Sequence, residues 1–286
     1  PTCWITSTGA DMVASGYEEN RIIVCCTILA MLKIATWNVN SLRVRLDQLL
    51  QWLATEQPDV MALQEIKLTD EHFPGDAIRD AGYEFVVAGQ KTYNGVATLS
   101  KHSISDVIRS IPGYADGQQR VLAATTGNIS FLNLYVPNGS EVGSEKYFYK
   151  LDWFSRLHPF VRELLEKNNH TVVLGDFNIA PEDRDVHDPD EWEGNVLVSP
   201  EERAGYKALL ELGLNDCFRL FAQEEKSFSW WDYRAAAFRR NRGLRIDHIL
   251  ASQDLARQCT RCYIDKAPRK QEQPSDHTPV VAEFDL

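Results

Sequence analysis

The run Thr171-Val172-Val173-Leu174 ends in Gly175-Asp176-Phe177-Asn178, and that junction limits what the chain can fold into. An unbroken apolar, β-branched run reads as a buried strand. Asp176 and Asn178 stand two positions apart, so both emerge on the same side of the pleat at the strand's mouth. The same event occurs where Lys33-Ile34-Ala35-Thr36 leads into Trp37-Asn38, and where Pro274-Ser275-Asp276-His277 precedes Pro279-Val280-Val281-Ala282. Polar residues at the mouths of buried strands predict one site assembled from distant segments, the usual construction of an α/β enzyme.

The rest of the chain alternates in the same way. Leu42, Leu46, Leu49, Leu50 and Leu53 recur at helical spacing after Asn40-Ser41, which reads as a cap. Val60-Met61-Ala62-Leu63 reads as a strand ending at Gln64-Glu65, and Gly95 to Ser100 and Ser130 to Val136 read as two more. Phe148 to Leu165 carries a helical stripe that Pro159 is expected to kink or split. Ser199-Pro200-Glu201-Glu202 is a capping box with Pro at the first helical position, and Gly213 is expected to end that helix. Arg245 to Leu250 reads as a strand carrying Asp247. With no linker or repeat, residues 31–286 are predicted to form a single α/β domain. Residues 1–30 read as an N-terminal extension outside the fold. The chain begins with Pro, Met31-Leu32-Lys33-Ile34 resembles a natural start, and no basic segment precedes an apolar stretch of the signal-peptide kind.

Net charge is −11, which on its face opposes a nucleic-acid partner. The distribution reverses that reading. Phe228 to Lys270 holds ten Lys and Arg against four acids, whereas Glu182 to Glu202 holds nine acids against one Arg. Arg234, Arg239, Arg240, Arg242 and Arg245 interleave with Trp230, Trp231, Tyr233 and Phe238. That composition fits a groove for a phosphate backbone and equally a solvated basic loop. Cys259-x-x-Cys262 lacks a second ligand pair at zinc spacing, so the six cysteines read as free thiols of a cytosolic protein. No apolar run approaches the roughly 20 residues that span a bilayer.

Seven segments then occur in a telling order: Trp37-Asn38-Val39-Asn40-Ser41, Leu63-Gln64-Glu65-Ile66-Lys67, Asn94-Gly95-Val96-Ala97, Leu134-Tyr135-Val136-Pro137-Asn138-Gly139, Gly175-Asp176-Phe177-Asn178-Ile179, Arg242-Gly243-Leu244-Arg245-Ile246-Asp247 and Pro274-Ser275-Asp276-His277-Thr278-Pro279. Together they resemble the exonuclease III family of DNA-repair nucleases, within the endonuclease/exonuclease/phosphatase superfamily. The resemblance runs from Met31 to the C-terminus. It implies a deoxyribonuclease-I-like four-layer α/β sandwich, two packed mixed β-sheets flanked by helices, with the active site at one edge.

By that resemblance Glu65 is the principal metal ligand, assisted by Asn38, with Asp276 near the same ion. Mg²⁺ (or Mn²⁺) suits such oxygen ligands, because a hard cation that keeps its waters needs only one or two carboxylates. Asp176 would be the acid/base, Asn178 would orient it, His277 would donate to the phosphate, and Asp247 would hold and polarise the imidazole. Tyr135 would contact the phosphate, while Asn138, Trp230, Arg234 and Lys67 would serve substrate binding. Leu197 departs from the pattern, since abasic-site endonucleases of the family usually carry a small residue there. A Leu turned inward narrows the pocket for an extruded nucleotide and biases activity toward 3′ ends; turned outward, it changes nothing.

The resemblance therefore implies a Mg²⁺-dependent repair phosphodiesterase acting as a monomer on duplex DNA, at abasic sites and blocked 3′ ends. It would be cytoplasmic, of bacterial, nucleoid-associated type, with no membrane partner. A same-fold phosphodiesterase acting on a phospholipid or inositol phosphate is the alternative, and a non-catalytic DNA-binding module ranks below both. All of this requires Glu65, Asp176 and His277 to meet in one cleft.

Overall fold

The computed structural model describes residues 31–286, so the expected extension over 1–30 lies outside the described residues. The strands are β1 (Leu32–Asn38), β2 (Val60–Gln64), β3 (Glu84–Ala88), β4 (Val96–Ser100), β5 (Ile104–Ile108), β6 (Val121–Thr126), β7 (Ile129–Tyr135), β8 (Thr171–Asp176), β9 (Leu214–Asp216), β10 (Asp247–Ser252), β11 (Cys259–Ile264) and β12 (Val280–Phe284). The helices are α1 (Leu42–Glu56), α2 (Gly75–Asp80), α3 (Glu145–Lys167), α4 (Pro189–Trp192), α5 (Pro200–Leu210) and α6 (Gln253–Ala256).

One six-stranded sheet runs β11-β12-β1-β2-β4-β3, and the other runs β5-β6-β7-β8-β10-β9. Each contains one parallel pair, β1 with β2 and β7 with β8, joined by the crossover helices α1 and α3. The continuous apolar runs follow from burial on both faces. Ile34, Ala62, Phe131, Val172, Leu174, Ile249 and Ala282 meet between the sheets. The alternate residues Ala35, Trp37, Met61 and Leu63 pack under Leu49, Trp52 and Leu53 of α1. Leu132, Leu134, Val173 and Leu250 pack under Trp153, Phe154, Leu157 and Val161 of α3.

Three local expectations need correction. Pro159 does not split α3, which is continuous for 23 residues. Its missing N–H frees the carbonyl of Ser155, which is exposed to water, while Phe160 and Val161 bury the other face. Ser41 caps α1 by position only: at φ 89° its side chain accepts no capping hydrogen bond. The helix after the capping box stops at Leu210, three residues before Gly213. The box itself forms, with Ser199 and Glu202 satisfying each other's backbone N–H groups. Cys217, Cys259 and Cys262 are free thiols. No helix among the described residues is long and apolar enough to cross a membrane.

This topology sets the site. The two parallel pairs put Asn38, Glu65, Tyr135 and Asp176 at strand carboxyl ends, and the two sheets bring those ends together. The antiparallel neighbours complete the ring: β10 starts at Asp247, in register with Asp176, and the loop entering β12 carries His277.

Candidate active site

Gly175 explains how Asp176 reaches this position. A Cβ on Gly175 would lie 2.0 Å from the Leu134 carbonyl oxygen, so only glycine lets β8 approach β7 this closely. The next two turns are strained: Glu65 and Asn178 both adopt φ 49°, and Lys67 adopts 55°. Non-glycine residues in the left-handed region concentrate at functional sites, where the surrounding contacts must hold them.

Those contacts are explicit. Asn38 Nδ2 donates to Glu65 Oε1 and to Asp176 Oδ2, each at 2.9 Å, while its Oδ1 accepts the Asn40 N–H. The Asn178 backbone N–H donates to Asp176 Oδ1 at 2.9 Å, and Asn178 Nδ2 donates to the Val136 carbonyl. Asn138 Nδ2 donates to Asn178 Oδ1 at 3.0 Å. Lys67 Nζ lies 2.9 Å from Glu65 Oε2 and donates to Asn40 Oδ1. Asp276 accepts from Asn40 Nδ2 at 2.9 Å and from Trp230 Nε1 at 3.1 Å.

His277 stands opposite. Its Nδ1 faces Asp247 Oδ2 at 2.9 Å, and its Nε2 lies 3.7 Å from Asp176 Oδ2. Burial would lower the imidazole's pKa, but the charge of Asp247, then that of Asp176, outweighs it and pushes His277 up to about 10. Asp176 is raised to about 7 by burial, against the opposing charge of His277. Burial also acts to raise Asp276, but the His277 charge and the bonds from Asn40 and Trp230 hold it below the usual carboxylate range. Burial and the Glu65 and Asp176 carboxylates push the Tyr135 hydroxyl well above its ordinary value, so it remains a donor. The Arg120 guanidinium sits 4.6 Å over the Tyr135 ring.

Glu65, Tyr135, Asn138, Asp176, Asn178, Leu197, Trp230, Arg234, Asp276 and His277 line one cavity of about 330 Å³. Among the described residues, Glu65, Asp176 and His277 offer ligand atoms within 4.8 Å of one another. Two carboxylates converging on one cavity fit a hard divalent cation, which takes oxygen ligands. A chain of this kind can hold a phosphate ester between a cation, a charged imidazole and a buried carboxyl group.

The comparisons agree with this geometry. Residues 35–277 match the model of the "Endonuclease/Exonuclease/phosphatase family". Exodeoxyribonuclease III of Haemophilus influenzae is 40% identical over 266 residues, covering 88% of this chain and all of that protein. The chain belongs to the exonuclease III family. Among solved structures, the 3′-phosphatase NExo of Neisseria, bound to a product DNA hairpin, superposes with a TM-score of 0.88 at 45% identity, covering 89% of this chain and all of that one. An AP endonuclease of Archaeoglobus fulgidus gives 0.86 at 40% identity with the same coverage. This exonuclease III family member is thus a hydrolase of the exodeoxyribonuclease III and AP endonuclease type, a nuclease of DNA repair.

The basic-aromatic segment of this family member divides in two. Arg234, Arg239 and Arg240 are exposed, with Arg234 paired to Asp232 at 2.7 Å. Arg242 pairs with Glu191 across the acidic segment. Arg245 turns inward, 1% exposed, and binds Asp185 Oδ1 at 2.6 Å and Asp216 Oδ2 at 2.8 Å. Trp231 and Phe238 stack beneath Arg269 rather than facing solvent. Sequence reasoning missed Ser229 and Ser275. Ser229 Oγ donates to Asp247 Oδ2 at 2.6 Å, and Ser275 Oγ ties the Asn38 carbonyl to the His277 loop. Ser275 precedes Asp276 directly, and a small hydroxyl flanking an acid is a signal that could have found it, whereas Ser229 meets Asp247 only through the tertiary fold.

The inward Arg245 has a measurable consequence. It donates to His248 Nδ1 at 3.0 Å, and the other ring nitrogen of His248 faces the Ile179 carbonyl at 2.9 Å. Burial first, and Arg245 second, lower the His248 pKa to about 4. The unfolded chain binds this proton from about pH 6.5 downward and the native state does not, so the stability is present above pH 6.5 and is lost as pH falls toward 4. Denaturant unfolding should find His248 costing ~2–3 kcal/mol between pH 7 and 4.5. Because Asp176 and His277 titrate too, the quantity to compare is the parent's pH slope against that of His248→Gln. Equal slopes would remove His248 as a source of acid lability.

Proposed function

We propose that the protein is a divalent-cation-dependent repair phosphodiesterase on duplex DNA, weighted toward 3′-end processing and away from incision at internal abasic sites. The observation that carries the bias is Leu197. It is 4% exposed, lines the cavity beside Asp176, Trp230 and His277, and adopts φ 77°. A bulky side chain in that backbone region is costly, and glycine, which has no Cβ, would relieve it. The side chain therefore takes up space where an extruded nucleotide would sit, beside the Trp230 wall. Likeness to the Neisseria 3′-phosphatase supports the same bias.

In this reading Glu65 would be the principal ligand of Mg²⁺ or Mn²⁺, with Asp276 nearby and Asn38 fixing the Glu65 and Asp176 carboxylates through its amide nitrogen. The cation, when bound, neutralises phosphate charge and polarises the ester. His277, protonated, donates from Nε2 to a non-bridging oxygen, and Asp247 keeps it charged and aimed. Asp176 exchanges the proton of the attacking water or the leaving oxygen, and Asn178 sets its rotamer through the bond from its backbone N–H. Tyr135 donates to the phosphate, Asn138 braces Asn178, and Lys67 and Arg234 receive the DNA backbone.

The test compares three labelled duplexes, with an internal abasic site, a 3′-phosphate and a recessed 3′ end, for the parent and Leu197→Gly. Abasic incision should rise tenfold or more in the variant, with the 3′ activities changing less than threefold. Unchanged incision, or a parent that already prefers the abasic duplex, counts against the bias.

A further inference from the structure

Lys150 belongs to no motif and lies on α3, outside the cavity, yet it is 1% exposed. An ammonium has three donors and no acceptor. Each donor lands on a different segment: the Asn138 carbonyl at 3.1 Å, the Asn178 carbonyl at 2.6 Å, and the Glu202 carboxylate. Glu202 is fixed in turn by the capping box, accepting at Oε2 from the Ser199 N–H and hydroxyl. The Ser199 hydroxyl also meets the Tyr147 hydroxyl at 2.8 Å, back on α3. Leu197 precedes Ser199 by two residues and is tied to the segment after Asn178 by the Ala180 N–H.

We propose that Lys150 is a positioning residue of the phosphodiesterase reaction, pinning the loops after β7 and β8 so that Asn138 and Asn178 keep their relation to Asp176. Asn178 holds a left-handed conformation, and Lys150 grips the carbonyl on its far side. The grip also reaches the Leu197 segment, through Glu202 and Ser199. Burial pulls the ammonium pKa down and the Glu202 charge opposes that pull, so the three acceptors are what keep the group in place.

Removing Lys150 alone strands Glu202 as a buried charge, and loss of fold would then mimic loss of function. The informative variant is Lys150→Met with Glu202→Gln, which removes both charges and keeps a side chain able to complete the capping box. Its partner is Glu202→Gln alone, which leaves the ammonium on both carbonyls. Single-turnover rates and Kd are read on a labelled duplex with a recessed 3′ end, with Mg²⁺, below each variant's melting temperature. The double variant should lose at least tenfold in rate with Kd within twofold, and Glu202→Gln should stay within threefold of the parent. A double variant at the parental rate, or a single variant as slow as the double, overturns the proposal. If the double variant does not fold, Lys150→Gln with Glu202→Gln replaces it, and failure of both to fold makes Lys150 a stabilising residue only. The inference rests on the catalytic assignment above, so Asp176→Asn is run beside it. An active Asp176→Asn protein sinks that assignment, whereas an inactive one beside an unaffected Lys150 variant sinks only this step.

Discussion

Asp176→Asn should bind duplex DNA as well as the parent, or better, and cleave it about a thousandfold more slowly. The side chain is 1% exposed and isosteric with its replacement, so packing survives. The Asn178 N–H can still reach an amide oxygen, which preserves the turn after β8. What disappears is the proton-accepting carboxylate 3.7 Å from His277 Nε2, together with the oxygen that accepts from Asn38 Nδ2. General acid–base catalysis by a positioned group contributes roughly 10²–10⁴ in rate. Losing a negative charge from a cavity that receives phosphate weakens no attraction to DNA, hence the retained affinity. Single-turnover cleavage at saturating Mg²⁺, with Kd from a gel shift on the same duplex, separates the two effects. A rate within tenfold of the parent removes Asp176 from the acid/base role.

The strand mouths were legible because burial on both faces leaves an unbroken apolar run whose end is marked by the first polar residue. Val172, Val173 and Leu174 show the rule: alternate side chains go to the inter-sheet core and to the α3 layer, so none of them is polar. Asn38, Glu65, Asp176, Asp247 and His277 then fall where chain order and sheet pairing bring strand ends together. The supports were not legible, because each depends on a contact between remote segments. Arg245 looked like part of a basic groove until Asp185, 60 residues away, and Asp216 claimed it. Lys150 sits at a helical position like any surface lysine, and only the tertiary fold brings three acceptors to its tip. Left-handed backbone at Glu65 and Leu197 has no compositional mark, since neither glycine nor asparagine, its usual signals, stands at either position.

Asp247→Asn should slow cleavage about a hundredfold or more at pH 8, and should make that loss depend on pH. Asp247 is buried, with Oδ1 and Oδ2 at 3.1 and 2.9 Å from His277 Nδ1. The Ser229 hydroxyl accepts the backbone N–H groups of Ile246 and Asp247, so its own proton is committed to Asp247 Oδ2. An amide here must satisfy both a serine donor and an imidazole N–H with one oxygen, so its NH₂ opposes one of them. The larger effect is electrostatic. Burial would lower the His277 pKa, and Asp247 is the foremost charge that lifts it to about 10. Without that charge the value falls toward the ordinary range of a histidine. The parent therefore keeps a protonated donor throughout pH 6–9, whereas the variant loses its proton as pH rises through that range. Preorganised donors of this type are worth roughly 10²–10³ in rate. The parent-to-variant ratio of single-turnover rates should be largest near pH 9 and shrink toward pH 6, where the variant's imidazole regains its proton. A ratio that stays constant with pH would mean that Asp247 only braces the ring, and that the charge on His277 is set by Asp176 and Asp276 alone.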